Sequence, residues 1–233
     1  TTAPTLSLFD RLIGVFATPG EVFEHVAQAR ATPANWLVPV LLTCLAGTIA
    51  FLLQPEQPGS REQILDDRQI QGLLHWNGRS ADPSLSNQDG IQAVVRLHGL
   101  LTIVASSFAG TFWSALVVWI IGRVFLKCSI PYRKSLEVVG LAQMILVLAG
   151  ITTALLVLAT GQPAAKPALS LFVDEFDSQN RIHLALAAMN LFYVWMAAVM
   201  AAGLARLAGV SFAEAAFWTI GYWCVLRIGL ILV

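Results

Sequence analysis

Five long apolar stretches fill most of this chain, at residues 36–53, 97–122, 138–159, 182–205 and 215–233, and the charges sit almost entirely between them. A helix rises about 1.5 Å per residue and a bilayer core is about 30 Å thick, so roughly 20 apolar residues are needed to cross it. Each stretch is near or above that length. Because hydrocarbon offers no partner to backbone N–H and C=O groups, an apolar span must satisfy them internally, as a helix does. The expected fold is all-α: a polytopic membrane protein with a five-transmembrane-helix bundle over residues 36–233, preceded by amphipathic helices within 1–35. Charged residues make up 12% of the chain, about half the share usual in a globular domain. With 14 bases against 14 acids, a nucleic-acid partner is not expected.

The charges between spans set an orientation. Arg123, Lys127, Arg133 and Lys134 face only Glu137 between spans two and three, and Arg206 opens the segment between spans four and five. Short loops rich in Lys and Arg stay cytoplasmic. The segment 54–96 carries six acids and four arginines, and 160–181 carries Asp174, Glu175 and Asp177 against Lys166 and Arg181. This pattern puts the N-terminus in the cytoplasm, with both acidic loops and the C-terminus outside.

The first 35 residues read as two short helices. Leu8, Phe9, Leu12, Ile13 and Phe16 form an apolar stripe. Thr18-Pro19-Gly20-Glu21 then reads as a capping box, with proline at a position where its missing N–H costs nothing. The helix it opens carries Val22, Phe23 and Val26 on one side. Such helices lie along a membrane surface or cover the end of a bundle. In the outer loop 54–96, Ile64, Leu65, Ile70, Leu73 and Leu74 give a weak helical period. Asp66, Asp67 and His75 lack any recognised metal spacing and read as solvated surface. Cys44, Cys128 and Cys224 form no loop pattern and read as small packing residues. No metal and no cofactor is expected.

A faint internal repeat links the entries to spans three and five. Cys128 to Gly140 and Val210 to Gly221 each carry a Ser, an apolar residue and a polar residue, then a Gly ten or eleven positions after the Ser. Together with Leu12-Ile-Gly-Val-Phe16, Pro19, Phe23 and Asn35-Trp-Leu-Val-Pro39, these entries (Ser129 to Gly140, and Ser211 to Tyr222 with its Gly-Tyr end) resemble the Yip family of integral membrane proteins. The resemblance covers nearly the whole chain except the 54–96 loop. It implies five spans, a cytoplasmic N-terminus and no established catalytic residues. Eukaryotic members of that family take part in vesicle trafficking through GTPase binding and self-association. The short N-terminal region here is more similar to a bacterial member, which implies the bacterial inner membrane.

Polar groups within spans are costly enough to count as functional candidates. Gln143, Asn190 and Arg227 are the three here. An amide can be satisfied by a single interhelical hydrogen bond, so Gln143 and Asn190 read first as packing glue. Arg227 is near enough to the outer boundary to snorkel or to pair with an outer-loop acid. Small residues recur every fourth position at Ser106, Gly110 and Ser114 and at Ala197, Ala201, Ala205 and Gly209, a spacing that permits close helix contact within the bundle or between copies. No nucleophile–base pair, phosphate loop or zinc spacing is present, and an enzyme is not expected. The favoured expectation is a non-enzymatic scaffold or accessory subunit that meets membrane lipids and other integral membrane proteins or itself. The alternative is a small transporter or channel, with Gln143, Asn190 and Arg227 along a path between spans three to five.

Overall fold

The computed structural model describes residues 6–53, 88–160, 167–173 and 180–232. Nine α-helices follow one another in these segments: α1 Leu8–Ala17, α2 Pro19–Gln28, α3 Ala34–Leu52, α4 Gln88–Ile120, α5 Tyr132–Ala142, α6 Met144–Thr160, α7 Arg181–Ala188, α8 Leu191–Ala208 and α9 Phe212–Leu232. An isolated bridge joins Ala168 and Asn190, and no strand forms among the described residues. The chain is an all-α polytopic membrane protein. Among the described residues four stretches are long and apolar enough to cross a bilayer, Ala34–Leu52, Arg96–Phe125, Tyr132–Thr160 and Leu191–Ala208; the apolar helix Phe212–Leu226 is shorter over its described side chains. The expected outer-loop helix, and Asp66, Asp67 and His75 with it, lies outside the described residues.

Three spans depart from simple rods, each for a local reason. The helix through Tyr132–Thr160 passes a single-residue turn at Gln143, whose N–H lies 3.0 Å from both the Val139 and the Gly140 carbonyls. That shared bond tightens the helix locally. The fourth apolar stretch, expected as one helix over 182–205, divides at Met189–Asn190. The Asn190 side chain accepts from the Phe192 N–H at 2.9 Å and caps α8, so an amide in mid-stretch offers the backbone an alternative to continuing the helix. Finally, α4 ends in a π-helical turn, Ile121–Phe125, where Leu126 N–H reaches the Ile121 carbonyl at 3.0 Å.

At the N-terminus the capping differs from the expected pattern. The capping box sits on α1, where Ser7 accepts from Asp10 N–H at 3.2 Å and Asp10 accepts from Ser7 N–H at 3.1 Å. Thr18 makes no side-chain cap to α2, and its N–H closes α1 by donating to the Gly14 carbonyl at 2.8 Å. Pro19 does stand at the first position of α2.

Two apolar clusters hold the bundle together. One gathers Val15 of α1 and Val22, Phe23 and Val26 of α2 against Val138, Leu141 and Ile145 of α5–α6 and Met196 and Val199 of α8. The other joins Ala115 and Val118 of α4, Leu136 and Val139 of α5, Leu204 of α8 and Ala215 of α9. Helix α2 is thus packed on the bundle, against α8 and α5. Phe23, Val26 and Val138 are fully buried, and burying such a side chain stabilises by about 1.5–3 kcal/mol.

Candidate functional site

The most heavily charged buried site lies where α2 ends and α3 begins. Both of its ionic groups come from α5. Glu137 is 1% exposed and Lys134 9%, and their carboxylate and ammonium lie 3.0 Å apart. The ammonium also donates to the Val26 carbonyl at 2.5 Å and the Ala29 carbonyl at 2.7 Å. Its three donors therefore meet three acceptors. Those carbonyls belong to the last turn and cap of α2, where partial negative charge gathers and a cation is favourable.

Glu137 does the reverse at the start of α3. Its Oε1 accepts from the Thr32 N–H at 2.8 Å and from the Asn35 side-chain amide at 2.6 Å, with the Thr32 hydroxyl at 3.4 Å. A carboxylate is favourable there because it lies beside the positive end of the α3 dipole and satisfies the Thr32 N–H just ahead of the helix. The pair thus ties the end of one helix and the beginning of the next to α5. Burying two charges is costly, and the ion pair together with these hydrogen bonds offsets it.

The same junction is tightened by Gly140, one turn further along α5. A Cβ there would overlap Trp36 Cα and lie 2.9 Å from the Asn35 carbonyl oxygen. Pro39 has no N–H to offer that carbonyl, so α5 approaches α3 where its backbone ladder is interrupted. Gly221, the repeat counterpart of Gly140, meets nothing within 4 Å of its Cβ position.

Deeper in the bundle, Gln143 lies at the turn between α5 and α6. Its amide donates to the Thr111 hydroxyl of α4, and that hydroxyl donates to the Ser107 carbonyl at 2.6 Å. Gln143 lines a cavity of about 410 Å³ shared with Thr43, Ser106, Gly110, Ser114 and Thr219. The stripe Ser106, Gly110 and Ser114 therefore borders this space, and nothing lies within 4 Å of a Cβ at Gly110. The second stripe is placed differently. Ala197, Ala201 and Ala205 are buried within the bundle, while Gly209 is the left-handed cap of α8 at φ 68°. Asn190 caps the other end of α8 and is not brought together with Gln143. Arg227 lies on α9, and its side chain is outside the described residues.

Lys134 and Glu137 enter the sequence reading only as loop charges. A basic and an acidic residue three apart, flanked by Leu136 and Val138 at the mouth of an apolar helix, carry a signal that charge counting misses. Both must turn inward if the apolar neighbours are to pack.

No curated protein and no solved structure matches the chain. The family model for the Yip1 domain matches residues 13–233, a stretch that takes in α2, the Lys134–Glu137 junction, the cavity and all four long apolar spans. The chain belongs to the Yip family of integral membrane proteins.

Proposed function

We propose that this chain is a non-enzymatic scaffold or accessory subunit of a membrane, which binds other integral membrane proteins or a second copy of itself. The observation that carries this reading is the use of the buried charges. Lys134 fixes the end of α2, and Glu137 the start of α3, to α5, which ties α1 and α2 to the bundle as a platform. On that platform Phe9 and Ile13, one helical turn apart, are 70% and 52% exposed. Exposed large apolar residues at this spacing suit an interface or a membrane surface. The charge pattern of the loops favours a cytoplasmic platform.

A photo-crosslinking side chain at Phe9, activated in intact membranes, tests the reading. Discrete protein adducts of constant mass, abolished by Ile13→Asp, are expected. Adducts with lipid alone would contradict it.

A further inference from the structure

The cavity between α4 and the α8–α9 pair is built unlike a packing defect. Apolar cavities that arise from poor fit are lined by apolar groups and stay dry. Two of its lining residues, Gln143 and Thr219, each 3% exposed, carry a buried side-chain oxygen without a hydrogen-bond partner, Oε1 and Oγ1 respectively.

The orientation of the Gln143 amide follows from its neighbours. The Thr111 hydroxyl gives its proton to the Ser107 carbonyl and so can only accept from Gln143. The amide nitrogen must therefore face Thr111, which leaves Oε1 as an acceptor awaiting a donor. Thr219 can donate or accept. An unsatisfied buried polar atom is destabilising, and a molecule that supplied the missing bond would recover that loss.

The rest of the lining combines apolar and aromatic side chains, among them Trp113, Met196, Met200 and Tyr222, with the hydroxyls of Thr43, Ser106, Ser107 and Ser114, and among the described residues no charged side chain lines it. Its volume of about 410 Å³ falls within the roughly 300–1,000 Å³ usual for ligand sites. Access is from the side. Helices α4 and α9 do not pack closely along their lengths, and one hydrogen bond, Trp113 Nε1 to the Tyr222 hydroxyl at 2.8 Å, spans the gap. Trp113 is 56% exposed, so this bridge stands at the rim.

We infer that the cavity is a binding site for an uncharged lipid alcohol, whose hydroxyl donates to Gln143 Oε1 and can accept from Thr219 while its chain fills the aromatic pocket. A hydrocarbon would leave both atoms unsatisfied. A carboxylate has no proton for Gln143 and meets no cation among the described residues.

The test uses the full chain in detergent micelles, titrated with 1-dodecanol brominated along its chain. Bromine quenches indole fluorescence on contact, and Trp113 and Trp223 line the cavity. Saturable quenching is expected, displaced by plain 1-dodecanol at about one-tenth of the concentration needed for dodecane or dodecanoate. Gly110→Leu places a side chain into the open space and should remove the saturable component without lowering the melting temperature. Thr219→Val should narrow the preference for alcohol over alkane in a protein of nearly unchanged shape. Quenching that never saturates, or that survives Gly110→Leu in the folded protein, would overturn the site. Equal displacement by dodecane, or an alcohol preference unaltered in Thr219→Val, would overturn the hydroxyl recognition.

Discussion

Lys134 and Glu137 stand three residues apart on one helix, in a 3.0 Å ion pair, yet they serve two other helices: the ammonium closes the end of α2 and the carboxylate opens α3. The linker between those helices is short, so fixing both ends fixes the path of the chain into the first span. The junction makes the N-terminal helices part of the bundle.

Removing one partner leaves the other charge buried and uncompensated, which typically costs about 3–5 kcal/mol. Glu137→Leu and Lys134→Met should each destabilise the protein by that order in micelles. The double variant should lose clearly less than the sum, because the stranded charge is gone while the Thr32 N–H still lacks its acceptor. Chemical unfolding of all four proteins as a double-mutant cycle measures the coupling. A sum equal to the two single effects would show that the pair does not act as a unit.

Gly140 and Gly110 should respond in opposite directions to the same methyl group. Gly140→Ala pushes a Cβ into the Trp36 backbone and should separate α5 from α3, lowering the melting temperature markedly and reducing the yield of folded protein. Gly110→Ala meets only open space and should stabilise by up to about 1 kcal/mol, the helix-propensity gain. Thermal unfolding of the two variants beside the parent checks both signs.

Asn190 caps α8 within an apolar stretch. Asn190→Ala should cost about 1 kcal/mol through the lost cap, while Asn190→Ser should retain most of it. Unfolding midpoints for the two variants distinguish a cap from a side chain used only for interhelical bonding, where serine, too short to reach a neighbouring helix, would be no better than alanine.

The Asp10 carboxyl is held below its ordinary value by hydrogen bonds from the Ser7 hydroxyl and N–H. Since the folded value lies below the unfolded one, the cap's contribution is complete above the usual carboxylate range. It is lost as pH falls through the lowered folded value. Fraying of α1 on acidification, followed by amide exchange at Asp10 and Arg11, should therefore begin below the usual carboxylate range and be smaller in Ser7→Ala, which keeps only the main-chain N–H bond to Asp10.

The sequence is most informative where a signal is local and additive. Apolar length alone places α3, α4, α5–α6 and α8, and the spacing of Val22, Phe23 and Val26 identifies the buried face of α2. Signals that need a distant partner are lost. Nothing near Glu137 announces that Thr32 and Asn35, about a hundred residues away, complete its shell. The Ser106, Gly110 and Ser114 spacing describes a smooth helix face, but whether a neighbour fills that face depends on where α8 and α9 settle. Asn190 is an intermediate case. An amide in the middle of an apolar run is visible at once, and its local use as a cap explains why one long stretch becomes two helices.

The scaffold reading is tested most directly by extracting the protein from its native membrane into nanodiscs without detergent and measuring subunit composition by mass spectrometry. A second protein subunit, either another chain or a further copy of this one, is expected at a constant ratio, and that ratio should fall in Phe9→Asp. A single copy carrying lipid alone, in both the parent and the variant, would contradict it.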